Sequence, residues 1–202
     1  MNSDILDMIN GRWISGEHMA KRMQGSEFIS DLASFLAAVH RIKPKQLTGV
    51  DYGASRMYPI VDKLRKYPPP NNEKFCEDSI KQFDAIDFSE TTFIHGDLWY
   101  KNVIVKDEKF QGLIDWDKAC MADPHWELRM LRRWIGWDGM EKLIFFYNCS
   151  IGTELRSDTI RVLDKIALCN SYNERIRKPN PDKPVSLIQG YIQHWPESWW
   201  QK

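Results

Sequence analysis

The sequence has no excess of charge of either sign and no long apolar run. Lysine plus arginine and aspartate plus glutamate number 28 each among the 202 residues, so no global field favours a nucleic acid or an anionic surface as partner. No apolar run approaches the ~20 residues needed to cross a bilayer, and residues 1–7 lack the basic and apolar regions of a signal peptide. We therefore expect a cytoplasmic protein with no nucleic-acid partner and no membrane partner.

The sequence also lacks the cysteine spacing of a metal-binding or disulfide-rich domain. Its four cysteines are widely separated and form no C-x-x-C pair, so neither a zinc site nor a disulfide framework is indicated. Hydrophobic residues make up 43% of the chain. At this length, that fraction is enough for one sizeable core or two small ones.

What the sequence does contain is a set of polar side chains around a short predicted hairpin. The turn His95-Gly96-Asp97 is followed by Asn102, by an outgoing strand at Val103–Val105 and by a return strand at 111–114 that leads into Asp115. Phosphoryl transfer requires a carboxylate that orients a hydroxyl and accepts its proton. It also requires amide and carboxylate oxygens that hold Mg²⁺ against nucleotide phosphates. The pattern therefore favours a phosphotransferase over a β-hairpin in which aspartates only form turns and caps.

The pattern of conspicuous residues continues beyond the hairpin. It includes Ile114-Asp115-Trp116-Asp117 and the later segment Asp123-Pro124-His125-Trp126-Glu127-Leu128. This order of H-G-D, N, I-D-W-D and D-P…L resembles the aminoglycoside phosphotransferase and choline kinase-like family of small-molecule kinases. The resemblance implies a protein kinase-like fold that uses ATP as phosphoryl donor together with Mg²⁺.

The resemblance also implies a role for each matched polar residue. Asp97 would be the catalytic residue that orients the acceptor hydroxyl, and Asn102 and Asp115 would bind the metal and the nucleotide phosphates. His95, Asp117 and Asp123 would support them, with Asp123 bracing the catalytic loop and capping the helix that begins at Pro124.

The start of the chain resembles the hinge between the two lobes of that fold. The hinge-like segment is 1–12, and in it Asp7 and Met8 are expected to contact the nucleotide. Neither a Gly-rich phosphate loop nor a strand lysine followed by a helix glutamate is present. We therefore expect 1–202 to form the C-terminal lobe with the N-terminal lobe missing, and to self-associate through the exposed N-terminal edge.

The periodicity of apolar residues predicts a mainly α protein with a small β-hairpin, that is, an α+β fold. Ser26 is expected to cap the first helix. The catalytic loop and the metal-binding hairpin occupy 92–117, and a helical acceptor-side part occupies 124–202. Helices are predicted over 26–42, 59–66, 73–86, 124–134, 138–150, 157–176 and 185–194.

We carry three functional hypotheses. The first is an ATP-dependent phosphotransferase acting on a hydroxyl of an aminoglycoside, a sugar or an amino alcohol, for which acidic side chains such as Glu127 could meet an amine. The second is a truncated or inactive lobe that serves as a binding module, or a gene fragment. The third, a metal-dependent phosphohydrolase built on Asp97 and Asp115, has no further ligand cluster to support it.

Overall fold

A computed structural model describes residues 17–19, 25–43, 57–88, 90–151, 154–179 and 184–195. Within these ranges, no helix is long and apolar enough to cross a membrane. The strands are β1 Glu17–His18, β2 Thr92–Ile94, β3 Val103–Lys106, β4 Lys109–Leu113 and β5 Cys120–Ala122. The helices are α1 Ser26–His40, α2 Met57–Lys66, α3 Glu73–Asp84, α4 Pro124–Leu128, α5 Arg132–Ser150, α6 Ser157–Arg177 and α7 Val185–Gln193.

The architecture is mostly helical with two small antiparallel sheets, which confirms the predicted α+β class. One sheet has the strand order β1-β3-β4, and the other pairs β2 with β5. The pairing of β2 with β5 was not predicted, because it joins strands that are distant in sequence. The hinge-like segment 1–12, with Asp7 and Met8, lies outside the described residues.

The β3–β4 hairpin closes through a two-residue turn at Asp107 and Glu108. Both residues have positive φ values, 51° and 60°, as a two-residue turn requires when it follows the right-handed twist of its strands. Val103 pairs with Leu113, and the backbone N–H of Ile114 donates to the carbonyl of Asn102 at 3.0 Å. The residues that flank the hairpin in sequence are therefore neighbours at its open end.

Several helix boundaries differ from the prediction, by one to six residues. Helix α1 does begin at Ser26, but its N-cap is Gly25 and no side chain caps it, so the capping role predicted for Ser26 is wrong. The helix predicted over 124–134 ends at Leu128, and α5 begins at Arg132. Within α5, Gly136 has φ 70° and ψ 176°, values that no helix accommodates, so the helix is kinked there.

The buried side chains form two main clusters, and the candidate catalytic loop connects them. Helices α1 and α5 pack together over β3 and β4 in a cluster that includes Leu98 and Val103. Helices α2, α3 and α6 surround a second cluster that includes Ile94 and Trp126. The loop between β2 and β3 therefore leaves one core at Ile94 and enters the other at Leu98, which fixes both of its ends.

Candidate active site

The His95 side chain holds the catalytic loop against the end of β4. Its imidazole is fully buried, with Nε2 2.8 Å from the carbonyl oxygen of Ile114 and Nδ1 3.3 Å from the backbone N–H of Asp97. A carbonyl can only accept, so Nε2 carries the proton and Nδ1 accepts from Asp97. The Trp116 ring covers the imidazole at a centroid distance of 4.6 Å. His95 thus joins the loop to the return strand and is closed off from solvent.

The Glu127 carboxylate, for which the sequence suggested only a contact with the acceptor, holds the same loop in place. It accepts the backbone N–H of His95 with Oε2 and that of Gly96 with Oε1 at 3.2 Å. The residue is completely buried. The expectation that Glu127 could meet an amine of the acceptor is therefore wrong: its two oxygens are occupied by two consecutive loop amides.

Glu127 is held in its ionised form by the groups around it. Burial acts to raise the pKa of the carboxyl, but the nearby His40 and His95 and the backbone N–H of His95 outweigh it, and the pKa lies below its ordinary value. His40 Nε2 is 3.9 Å from Glu127 Oε2, and His40 Nδ1 is 2.7 Å from the Tyr147 hydroxyl. Helices α1 and α5 thereby contribute to the brace of the loop.

Gly96 occupies a position that other residues would not tolerate. Its φ is +79°, in the left-handed region, and a Cβ built there would be 2.2 Å from the carbonyl oxygen of Lys118. The Gly96 carbonyl accepts a hydrogen bond from Nη2 of Arg129 at 3.0 Å. The residue before Asp97 is therefore fixed by Glu127 at its N–H and by Arg129 at its C=O.

The open end of the hairpin brings Asn102 and Asp115 to the loop that carries Asp97. The Asn102 side chain is buried, and its Nδ2 donates to the carbonyl of Asp97 at 2.9 Å. Its Oδ1 makes no hydrogen bond within the described part of the chain. Asp115 is exposed and has φ +63°, a conformation that aspartate tolerates better than most residues. Asn102 and Asp115 thus lie at the end of the hairpin that adjoins the Asp97 loop.

Asp97 is paired with a cation that sequence reasoning missed. Lys118 Nζ is 2.7 Å from Asp97 Oδ2, and 19% of the Asp97 side chain is exposed. Nothing in the local sequence indicates this pair, because it depends on the close approach of the Lys118 backbone to Gly96.

Asp117 and Asp123 occupy different environments. Asp117 is exposed and makes no hydrogen bond or ion pair to the described residues. Asp123 is buried and is the N-cap of α4, where its Oδ1 accepts from the backbone N–H of His125 at 2.9 Å and lies 2.7 Å from the His125 ring. It makes no hydrogen bond to the catalytic loop. The hydrogen bonds that were expected to hold the catalytic loop are made instead by Glu127, one helical turn later.

The donor set fits a magnesium ion held jointly with phosphates. Among the described residues, no group of three or more His, Cys, Asp or Glu could hold a metal by itself. Mg²⁺ in kinase sites takes one or two carboxylates, and water and phosphate oxygens complete its shell. Asp115 and Asn102 supply oxygens of that kind.

A family model for phosphotransferase enzymes matches residues 6–144, which include the loop, the hairpin and α4. The chain belongs to the phosphotransferase enzyme family. The resemblance inferred from the motifs is confirmed. No curated protein sequence matches the chain.

Solved structures of several phosphotransferases and of a kinase family protein share the fold. A type I macrolide 2'-phosphotransferase aligns with TM-score 0.67 and 17% identity, covering 89% of this chain and 67% of the other. The GDP and kanamycin complex of APH(2")-IIia aligns with TM-score 0.69 and 13% identity, covering 90% and 68%. A choline/ethanolamine kinase family protein from Mesorhizobium loti gives 0.64 and 16%, covering 90% and 65%. The chain thus spans about two thirds of the length of these proteins.

Proposed function

We propose that this phosphotransferase transfers the γ-phosphate of a nucleoside triphosphate, ATP in the first instance, to a hydroxyl group of a small molecule. The observation that carries the proposal is the junction of the braced His95–Asp97 loop with the open end of the β3–β4 hairpin. The Asn102 amide bonds the Asp97 carbonyl, and the His95 imidazole bonds the carbonyl next to Asp115. A carboxylate for the acceptor and oxygens for a metal are thereby held in one rigid unit.

Asp97 orients the acceptor hydroxyl and accepts its proton. Its side chain is neither fully buried nor fully exposed, so a substrate can reach it while the loop behind it stays fixed. Four hydrogen bonds, from Glu127, Arg129 and His95, hold the backbone of residues 95–97. A base positioned in this way contributes roughly 10²–10⁴-fold to the rate.

Asn102 and Asp115 bind Mg²⁺ together with the phosphates of the nucleotide. The ion neutralises phosphate charge when it is bound. Asn102 contributes Oδ1, since its Nδ2 is engaged by Asp97, and Asp115 contributes a carboxylate with no competing partner among the described residues. Asp117 would support the site from the same turn, and Asp7 and Met8 are proposed to contact the nucleotide.

The similar structures support a nucleotide donor and a polar small-molecule acceptor. One was solved with GDP and kanamycin, and another, a spectinomycin phosphotransferase, with AMP and with ADP and spectinomycin. The first of these makes GTP a donor to test beside ATP. The proposed acceptors are hydroxyl-bearing aminoglycosides, sugars and amino alcohols.

The test is nucleotide consumption with ATP or GTP across aminoglycosides, macrolides, sugars and amino alcohols, with magnesium present. Asp97→Asn should lower kcat at least ~10²-fold while nucleotide affinity stays within about twofold. Asp78→Asn, which alters an exposed carboxylate that pairs with Lys74, is the matched control and should leave turnover unchanged. Near-normal turnover in Asp97→Asn would remove Asp97 from its role. Failure of every acceptor with both donors would overturn the proposed function.

A further inference from the structure

Folding stability does not account for the ion pair between Lys118 and Asp97. The ammonium lies 2.7 Å from Asp97 Oδ2, and 57% of the Lys118 side chain is exposed. Exposed pairs of this kind contribute little to folding, because solvent screens them and two side chains lose freedom. Yet this pair occupies one oxygen of the carboxylate that the acceptor hydroxyl must reach.

Lys118 is held in place by a rigid turn. The backbone N–H of Ala119 donates to the carbonyl of Trp116 at 2.8 Å, so Asp117 and Lys118 are the central residues of a β-turn. The Trp116 ring stacks on Phe93 with centroids 6.0 Å apart and planes at 8°, and its indole N–H donates to a backbone carbonyl of β4 at 3.0 Å. The backbone of Lys118 is therefore anchored to both sheets.

The same turn contacts the catalytic loop through its backbone. A Cβ at Gly96 would be 2.2 Å from the Lys118 carbonyl oxygen, so only the absence of a side chain at Gly96 allows Lys118 to lie there. Lys118 thus meets the loop twice, with its backbone at Gly96 and with its ammonium at Asp97. The backbone contact fixes where Lys118 lies, and the ion pair places its ammonium at the base.

We propose that Lys118 is a catalytic residue that binds the phosphoryl group in transfer, an inference that rests on the proposed function. The acceptor oxygen, hydrogen-bonded to Asp97, attacks the γ-phosphorus from roughly 3–3.5 Å. An O–P bond forms, the bond to the β-phosphate oxygen breaks with its electron pair on that oxygen, and the hydroxyl proton passes to Asp97 Oδ1. A cation at Oδ2 then lies beside the equatorial phosphoryl oxygens, where charge is spread in the transition state.

An ammonium group can make both contacts at once. It carries three donors on a flexible stem, so its bond to Asp97 does not prevent it from donating to a phosphoryl oxygen. In the alternative role, Lys118 only occupies Asp97 in the free protein and is displaced when an acceptor binds. A lysine of that kind competes with the acceptor, so its removal should strengthen acceptor binding. Removal of a catalytic cation should instead weaken binding of the transition state.

The experiment compares Lys118→Met and Lys118→Arg with a matched control, Lys109→Met. Lys109 also pairs with an exposed carboxylate, Glu27, at 2.8 Å, but at the far end of the hairpin. Calorimetry measures the affinity for Mg-ADP alone and for Mg-ADP with aluminium fluoride, which mimics the phosphoryl group in transfer. We expect Lys118→Met to bind Mg-ADP with the affinity of the wild type. Addition of aluminium fluoride should increase this affinity at least ~10-fold less in Lys118→Met than in the wild type. Lys118→Arg should retain most of the increase in affinity that aluminium fluoride produces, and Lys109→Met should retain all of it.

Turnover supplies the second readout. Lys118→Met should lower kcat ~10²-fold with little change in the acceptor KM, as for other preorganised charge contacts. The catalytic role is refuted if aluminium fluoride increases the affinity for Mg-ADP equally in the wild type and in Lys118→Met. It is also refuted if Lys118→Met lowers the acceptor KM and leaves kcat unchanged. Neither result would contradict the proposed function. No binding of Mg-ADP by the wild type would overturn both.

Discussion

The buried carboxylate of Glu127 allows the support of the catalytic loop to be measured. Glu127→Gln keeps the shape of the side chain but replaces one of its two acceptor oxygens with an NH₂ group. One loop amide, of His95 or Gly96, then faces a donor and loses its hydrogen bond. A hydrogen bond to a charged group contributes ~1.5–3 kcal/mol, and the remaining bond weakens by ~1 kcal/mol because its acceptor becomes neutral.

The substitution should therefore lower the free energy of unfolding by about 3 kcal/mol at pH 7. For a protein of this size, this corresponds to a fall in Tm of roughly 6–12 °C. Urea unfolding followed by circular dichroism provides the measurement. Glu141→Gln is the matched control: it alters an exposed glutamate on α5 that contacts Ser157, and it should change stability by less than ~0.5 kcal/mol.

The stability difference should also depend on pH in a defined direction. The pKa of Glu127 is lower in the folded protein than its ordinary value. The carboxylate therefore contributes its stability above the unfolded-state pKa, near ~4.3, and loses it as pH falls through the folded pKa. Wild type and Glu127→Gln should converge in stability below that range. If Glu127→Gln lowers the free energy of unfolding by less than ~0.5 kcal/mol at pH 7, the Glu127 hydrogen bonds do not support the loop as described. The same conclusion follows if the stability difference between wild type and Glu127→Gln does not change with pH.

Two further predictions concern the open end of the hairpin and the loop. Asn102→Ala and Asp115→Ala should each weaken Mn²⁺-nucleotide binding at least ~10-fold in paramagnetic relaxation titrations, and unchanged affinity in both would place the metal elsewhere. Gly96→Ala should destabilise the protein by ~2 kcal/mol or more and lower turnover, because its Cβ would meet the Lys118 carbonyl and its φ is left-handed. Gly190→Ala, where a Cβ meets nothing within 4 Å, is the control, and equal effects of the two substitutions would contradict the argument.

Local patterns were sufficient to predict most of the secondary structure. The helix predicted over 157–176 is observed as Ser157–Arg177, and the hairpin strands were placed within one or two residues, because apolar periodicity and turn residues act over short distances. The break between α4 and α5 was missed. It depends on packing of Arg132 and its neighbours against α6, including the buried pair of Arg132 with Asp164.

The supporting contacts of the site could not be predicted in the same way. An Asp before Pro indicates a helix N-cap, and Asp123 is one, but its predicted second role belongs to Glu127. Glu127 and Lys118 are residue types that usually lie in solvent. Their positions depend on how α4 and the 116–119 turn pack against the loop. A charged residue between two buried apolar neighbours, Trp126 and Leu128, was the available signal for Glu127.

The arrangement of these contacts along the chain has a consequence for the order of folding. Asn102 contacts the Asp97 carbonyl across 5 residues and His95 contacts Ile114 across 19, whereas Glu127 reaches His95 across 32 and His40 reaches Tyr147 across 107. Short loops close at a lower entropic cost than long ones. We therefore expect the hairpin end with its proposed metal-binding oxygens to form early, and the Glu127 contacts that hold the loop before Asp97 to form last. A chain that folds in this order would assemble the hairpin end before it could hold Asp97 in place to orient a hydroxyl.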